Sequence, residues 1–183
     1  MSEIIIFEGP DNCGKSTQIK RLLKHLIDRP TYVIHYSGIP GITPEEALKA
    51  NHILYNDMFY LISEAYLQNR NLIFDRSHIG EYVYGPMYRH YNADYIFDIE
   101  EMYSHTEYFP KIKLFVFIDE PENLLKREDG QSFSIKLENK QKEIFLFKEA
   151  FTRSFISDKW LININNRSID EISNTITDGW IKK

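Results

Sequence analysis

Cysteine is nearly absent: Cys13 is the only one in 183 residues, so no intrachain disulfide can form and nothing calls for an oxidising compartment. Long apolar runs are missing as well. None approaches the ~20 residues of a membrane span, and no signal peptide precedes Ile4, which makes a cytoplasmic protein the expectation. Basic residues are outnumbered, 22 Lys and Arg against 27 Asp and Glu, for a formal net charge of -5. That balance argues against a duplex-binding module, which works by neutralising phosphates, and favours a small, already anionic partner. The six histidines show no metal-ligand spacing. There is no Asn-Lys-x-Asp of a GTP-specific site, since Asn139-Lys140 is followed by Gln141 and Lys142, and no Leu-Ser-Gly-Gly-Gln of a transport ATPase. Internal repeats, low-complexity tracts and linkers are absent too, so residues 1–183 read as one domain.

What is present is a folded globule, 43% hydrophobic and 14% aromatic, organised around Ile4 to Thr17, IIIFEGPDNCGKST. A short apolar run, as of a strand buried on both faces of a parallel sheet, enters Gly9; four residues later Gly14, Lys15 and Ser16 open a helix. This is the phosphate-cradling loop G-x-x-x-x-G-K-[ST]. Glycine lets successive backbone N–H groups turn inward on one anion, and the new helix adds its own N–H groups and dipole. Gly9, Asn12, Cys13, Gly14, Lys15, Ser16 and Thr17 are therefore the candidate ATP-binding residues. Lys15 would reach the β and γ phosphates and the Ser16 hydroxyl would hold Mg2+. Cys13 reads as a small loop filler, because such a loop needs backbone N–H groups rather than a thiol.

Along the chain, Ile19, Leu22, Leu23, Leu26 and Ile27 form one helical stripe that Pro30 closes. Thr31–Tyr36 is a second strand. Thr43, Pro44 and Glu46 form a capping box for a helix reaching about Gln68. Leu72–Phe74 is a strand ending in Asp75-Arg76, Asp94–Tyr108 a helix with Ile96, Ile99 and Met102 on its apolar side, and Lys113–Ile118 a buried strand. A short helix at Pro121–Arg127, a lid near 126–136, a long helix at about Ile135–Phe155, a strand at Trp160–Ile164 and a helix capped by Ser168 and Glu171 complete the order. Strands alternating with helices give an α/β fold, a parallel sheet of about five strands with helices on both faces, and ligands at the strands' carboxyl ends.

Asp75 and Arg76 emerge at that rim. An acid there holds Mg2+ and an arginine clamps phosphate and neutralises charge that develops during transfer. Lys126 and Arg127 sit at the lid entrance, where a cation can close over a triphosphate; Arg127 is the favoured one. Arg89, in the tyrosine-rich run with Tyr84, is a further phosphate candidate. The expected catalytic set is Lys15, Asp75, Arg76 and Arg127, with Ser16 and Asp75 as the metal side.

FEGPDNCGKSTQIKRL, LIFDRS and FVFIDEPENLLKRED resemble the phosphate loop, the Asp-Arg motif and the lid entrance of the thymidylate kinase and deoxynucleotide kinase family of P-loop kinases, in order and spacing over nearly the whole chain. The resemblance implies the P-loop kinase fold, transfer from ATP to a deoxypyrimidine nucleotide (dTMP to dTDP) and a homodimer. It also implies that Asp11 accepts from the sugar 3′-hydroxyl, Tyr55 stacks on the base, Arg76 meets the acceptor phosphate and Arg127 the donor; Tyr84 and Arg89 are further substrate-binding candidates from their own run. Two arginines of that family's pattern are missing, one after the second strand (HYSGIPG) and one after the stacking aromatic (Asn56-Asp57-Met58-Phe59). None lies between Arg29 and Arg70, which leaves Arg76 and Arg89 for the phosphate. The segment EYVYGPMYR is similar to one in viral, including phage, kinases of nucleosides or modified pyrimidines. The alternative is therefore a hydroxyl acceptor, a deoxynucleoside or 5-hydroxymethyluracil in DNA, with Asp75 or Glu8 as the base. A third reading is a P-loop ATPase that uses FVFIDEP, and a fourth a nucleotide-binding regulatory module without turnover.

Overall fold

The computed structural model describes residues 2–106, 110–130 and 132–181, the last three by their backbone alone. Five parallel strands, β1 (Ile4–Glu8), β2 (Thr31–His35), β3 (Asn71–Asp75), β4 (Ile112–Ile118) and β5 (Asp158–Asn163), pair in the order β2-β3-β1-β4-β5. Every residue of β1 and β4 is buried, as near-continuous apolar strands covered on both faces must be. The two-residue period sends Ile4 and Ile6 into one core and Ile5 and Phe7 into the other. The first core lies under α2 (Pro44–Leu67), α3 (His78–Tyr84), α4 (Tyr95–Ser104) and α6 (Leu137–Arg153); the second under α1 (Lys15–Leu22), α5 (Pro121–Lys126) and α7 (Ile169–Ile181).

Both capping boxes form. Thr43 Oγ1 accepts from the Glu46 amide while Glu46 reaches back to the Thr43 amide, and Ser168 and Glu171 exchange the same two bonds. The helix after the phosphate loop is shorter than its stripe suggested. It ends at Leu22, passes through a 3-10 turn at Leu23–His25, and leaves Ile27 81% exposed, because Asp28-Arg29-Pro30 turns the chain into β2 before a further turn can form. Met102 is likewise outside the core, at 54% exposure, since α4 packs through Ile96, Phe97 and Ile99 instead. Tyr108, the expected end of that helix, lies outside the described residues. So does Gln131 within the lid region. The tyrosine-rich stretch is helical throughout: α3 runs into a π turn at Gly85–Arg89. Among the described residues no helix is long and apolar enough to cross a membrane.

Candidate active site

The phosphate loop links β1 to α1 at the carboxyl end of the sheet. Gly9 has φ 134, and a Cβ there would lie 2.3 Å from the Phe117 carbonyl oxygen of β4, so no other residue fits. Asn12 and Gly14 also take positive φ, 64 and 80. The Lys15 ammonium curls back over the loop, donating to the Gly9 and Pro10 carbonyls at 2.8 Å each. Cys13 is buried, which pushes its thiol up despite Lys15 nearby; it is the neutral filler expected of it.

Ser16 Oγ donates to Asp75 Oδ2 at 3.2 Å, and His35 Nδ1 lies 3.5 Å from the same oxygen. This brings together the two residues assigned to the metal side. They open on a cavity of about 390 Å³ whose lining includes Asn12, Gly14, Lys15, Thr17 and Arg76. Gly9 and Cys13, also expected among the ATP-binding residues, are not part of that lining. Among the described residues no group of three or more His, Cys, Asp and Glu is placed to hold a metal. A hydroxyl and a carboxylate are nevertheless hard oxygen donors of the kind Mg2+ takes beside phosphate oxygens.

Arg76 has φ 73, and its amide donates to the Phe7 carbonyl at 2.9 Å. A non-glycine residue held there stores strain, which clusters at functional sites. Its guanidinium pairs with Asp11, both largely buried, so removing either would leave a charge uncompensated. The turn that holds Arg76 is built by Glu8, which is fully buried. Its Oε1 accepts from the Ser77 hydroxyl at 3.0 Å and the Gly80 amide at 2.9 Å, and Oε2 from the Gly9 amide at 3.2 Å. Glu8 is thereby a staple between the two motifs rather than a group placed to take a proton.

A second cavity of about 220 Å³ adjoins the first, and Asp11, His35 and Arg76 line both. Tyr55, Tyr84 and Arg89 line it as well, so the structure gathers the expected acceptor contacts in one place. Tyr55 is 1% exposed and its ring belongs to the core; its hydroxyl donates to Glu81 Oε2 at 3.3 Å. The Tyr84 hydroxyl is buried and has no hydrogen-bond partner among the described residues. Arg89 pairs with Glu81, and Tyr91 donates to the other Glu81 oxygen. Burial pushes the Glu81 carboxyl up, with Arg89, Tyr91 and Tyr55 opposing.

His35, Glu81 and Phe133 are among the lining residues that the sequence did not reveal. A helical reading of Ser77–Tyr91 would have placed Glu81 and Arg89 on one side, eight residues apart. Phe133, from the lid region, stacks on Tyr88 at 5.0 Å and 18° and lines the second cavity. The lid region also touches the phosphate loop, where Asn12 Nδ2 donates to Glu128 Oε2 and Ser132 Oγ at 3.2 Å. Arg127 does not line either cavity: it pairs with Asp119 at the end of β4. Asp119 also accepts from Asn123 and the Glu120 amide, so the acid of FVFIDEP is engaged in holding α5.

No protein-family model matches the chain. A thymidylate kinase of Dictyostelium discoideum is 28% identical over 186 residues, covering 94% of this chain and 82% of that protein. Among solved structures, a thymidylate kinase from Candida albicans superposes with TM-score 0.69 at 17% identity, over 97% of this chain and 90% of that one. The YorR protein of Bacillus subtilis, solved in complex with phosphorylated GDP, gives 0.68 at 24% identity over 95% and 93%. Over almost its whole length the chain is thus similar in sequence to a thymidylate kinase, and it shares its fold with these solved structures.

Proposed function

We propose that this protein transfers the γ-phosphoryl group of ATP to the 5′-phosphate of a deoxypyrimidine nucleotide, converting dTMP to dTDP. The observation that carries this reading is the meeting of a phosphate-loop cavity with a second, aromatic-walled cavity at Asp11 and Arg76. An acceptor oxygen attacks the γ-phosphorus as the bond to the β-phosphate oxygen breaks, leaving ADP and a nucleoside diphosphate. A monophosphate oxygen is already nucleophilic, so no general base is required. Lys15 and Arg76 stabilise charge on the transferring group, and Asp11 accepts from the sugar hydroxyl. Tyr84, whose hydroxyl has no partner among the described residues, offers the acceptor a polar contact. Ser16 and Asp75 would hold Mg2+, which would neutralise charge on the phosphates there. The segment 126–136 serves as the lid, with Arg127 reaching the donor by exchanging Asp119 for phosphate.

A hydroxyl acceptor is less well served, because Glu8 is committed to backbone amides and leaves Asp75 as the only base of the two. The ATPase reading is weakened by the engagement of Asp119. Two copies could meet through α2, whose Ile53, Tyr60 and Leu67 recur every seven residues and are each at least 60% exposed; light scattering would show a dimer's mass. The functional test is ATP consumption with each deoxynucleoside monophosphate, each deoxynucleoside and hydroxymethyluracil-containing DNA. Turnover of dTMP is expected. Turnover with hydroxyl acceptors alone, or without any acceptor, would replace this reading.

A further inference from the structure

One wall of the acceptor cavity is made of packed rings. Tyr84 and Phe133 line it, 5.3 Å apart, and Tyr88, which does not, packs against both, at 6.0 Å from Tyr84 and 5.0 Å from Phe133. Phe133 is 59% exposed, so burial alone holds it weakly and its place depends on the rings it stacks on.

Tyr88 is itself held from α6. Its hydroxyl donates to Glu143 Oε1 at 2.6 Å, and Lys140, from the preceding turn of the helix, donates to Glu143 Oε2 at 3.2 Å. The Lys140 and Glu143 side chains are both fully buried. Burial and the Glu143 bond push the Tyr88 phenol above its ordinary range, which keeps it the donor. Ser134, next to Phe133, joins the same cluster: it hydrogen-bonds Tyr88, and its Oγ accepts from Asn139 Nδ2 at 2.8 Å.

A buried ion pair is a poor way to hold a fold. Desolvating two charges offsets most of their attraction, and apolar side chains of similar volume often serve stability as well or better. The pair lines neither cavity, so it is not placed to meet a substrate. What it supplies is direction: an apolar neighbour would let the Tyr88 ring slide, whereas a carboxylate held by Lys140 gives its hydroxyl one place to be.

We infer that Glu143 and Lys140 are positioning residues for the acceptor: by fixing the Tyr88 hydroxyl they fix the ring on which Phe133 stacks, and so set how tightly the second cavity holds the nucleotide. The inference rests on the monophosphate-kinase reading above.

The test uses the purified full chain with ATP, Mg2+ and dTMP, taking initial rates and thermal melts on the same preparations. Lys140→Met combined with Glu143→Leu removes the pair and keeps its volume. This double variant is expected to melt at or above the wild-type temperature yet to raise KM for dTMP about tenfold, with KM for ATP unchanged. Glu143→Gln should do the reverse: it strands the Lys140 charge and lowers the melting temperature, but keeps a hydrogen-bonding partner for Tyr88 and a KM for dTMP near the wild-type value. Tyr88→Phe keeps the ring, loses the bond and should match the double variant's KM. A KM for dTMP that follows the melting temperature across the three, a double variant that fails to fold, or a Tyr88→Phe protein with wild-type KM would each overturn the assignment. Tyr88→Phe removes a single oxygen, so a misfolded double variant would not shield the inference. Absence of turnover with every monophosphate by the wild-type protein would remove the functional reading and this inference together; wild-type turnover of dTMP with an unchanged Tyr88→Phe KM would remove this inference alone.

Discussion

Glu8 and Gly80 meet at van der Waals distance in the middle of the molecule: the carboxylate accepts from the Gly80 amide at 2.9 Å, and a Cβ on Gly80 would lie 3.1 Å from the same oxygen. Through that contact the end of β1 caps the start of α3 and fixes the turn carrying Arg76. Glu8→Ala would strand the Gly9, Ser77 and Gly80 donors in the interior. A loss of at least ~2 kcal/mol is expected, read as a lower denaturation midpoint, with Glu8→Gln losing less because its amide oxygen can still accept.

Lys15 sits inside the loop, where its ammonium contacts the Gly9 and Pro10 carbonyls. Lys15→Met keeps the stem and removes the charge. Turnover should fall on the order of a hundredfold or more, while the melting temperature stays within a few degrees of wild type. Initial rates and thermal melts on the same preparations check both halves.

Asp75 Oδ2 accepts from Ser16 Oγ at 3.2 Å. If the two act together on Mg2+, Asp75→Asn should raise the Mg2+ concentration for half-maximal activity by about tenfold to a hundredfold, the range seen when groups that orient a metal's ligands are removed. A Mg2+ titration at saturating ATP measures it, and an unchanged curve would take Asp75 out of the metal's surroundings.

Acid should loosen the protein through Glu100. Burial pushes this carboxyl up, but hydrogen bonds from His78, Ser154 and the Phe155 amide outweigh it and hold it below the ordinary glutamate range. A depressed carboxylate stabilises the fold fully above its unfolded value, and the contribution is lost as pH falls through the folded one. Denaturation midpoints followed from about pH 7 down to about pH 3 should drop less steeply in Glu100→Gln than in wild type.

Thr43→Ala deletes the side-chain half of the α2 capping box and should cost about 1 kcal/mol. No residue of α2 lines the phosphate-loop cavity, so the KM for ATP should not change.

Local chemistry was legible because it is written in adjacent residues. Ile4 to Thr17 specifies strand, phosphate loop and helix by periodicity and glycine spacing, and the capping boxes at Thr43 and Ser168 specify helix starts without any tertiary help. Asp75-Arg76 could be placed at the rim because a buried strand runs straight into it. The five-strand parallel sheet follows from alternation alone. What the sequence could not show was which side chains meet across elements. Glu81 looks like a solvated charge until α3 and the π turn after it bring Arg89 and Tyr91 onto its carboxylate. Glu8 looks like a catalytic candidate until Ser77 and Gly80, some seventy residues on, claim its oxygens, and Arg127 looks free until Asp119 pairs with it. Hydrogen bonds and ion pairs between distant segments depend on how helices settle on the sheet. No periodicity encodes that, so the phosphate-loop cavity was readable from the chain, while the lining of the second cavity was decided by packing.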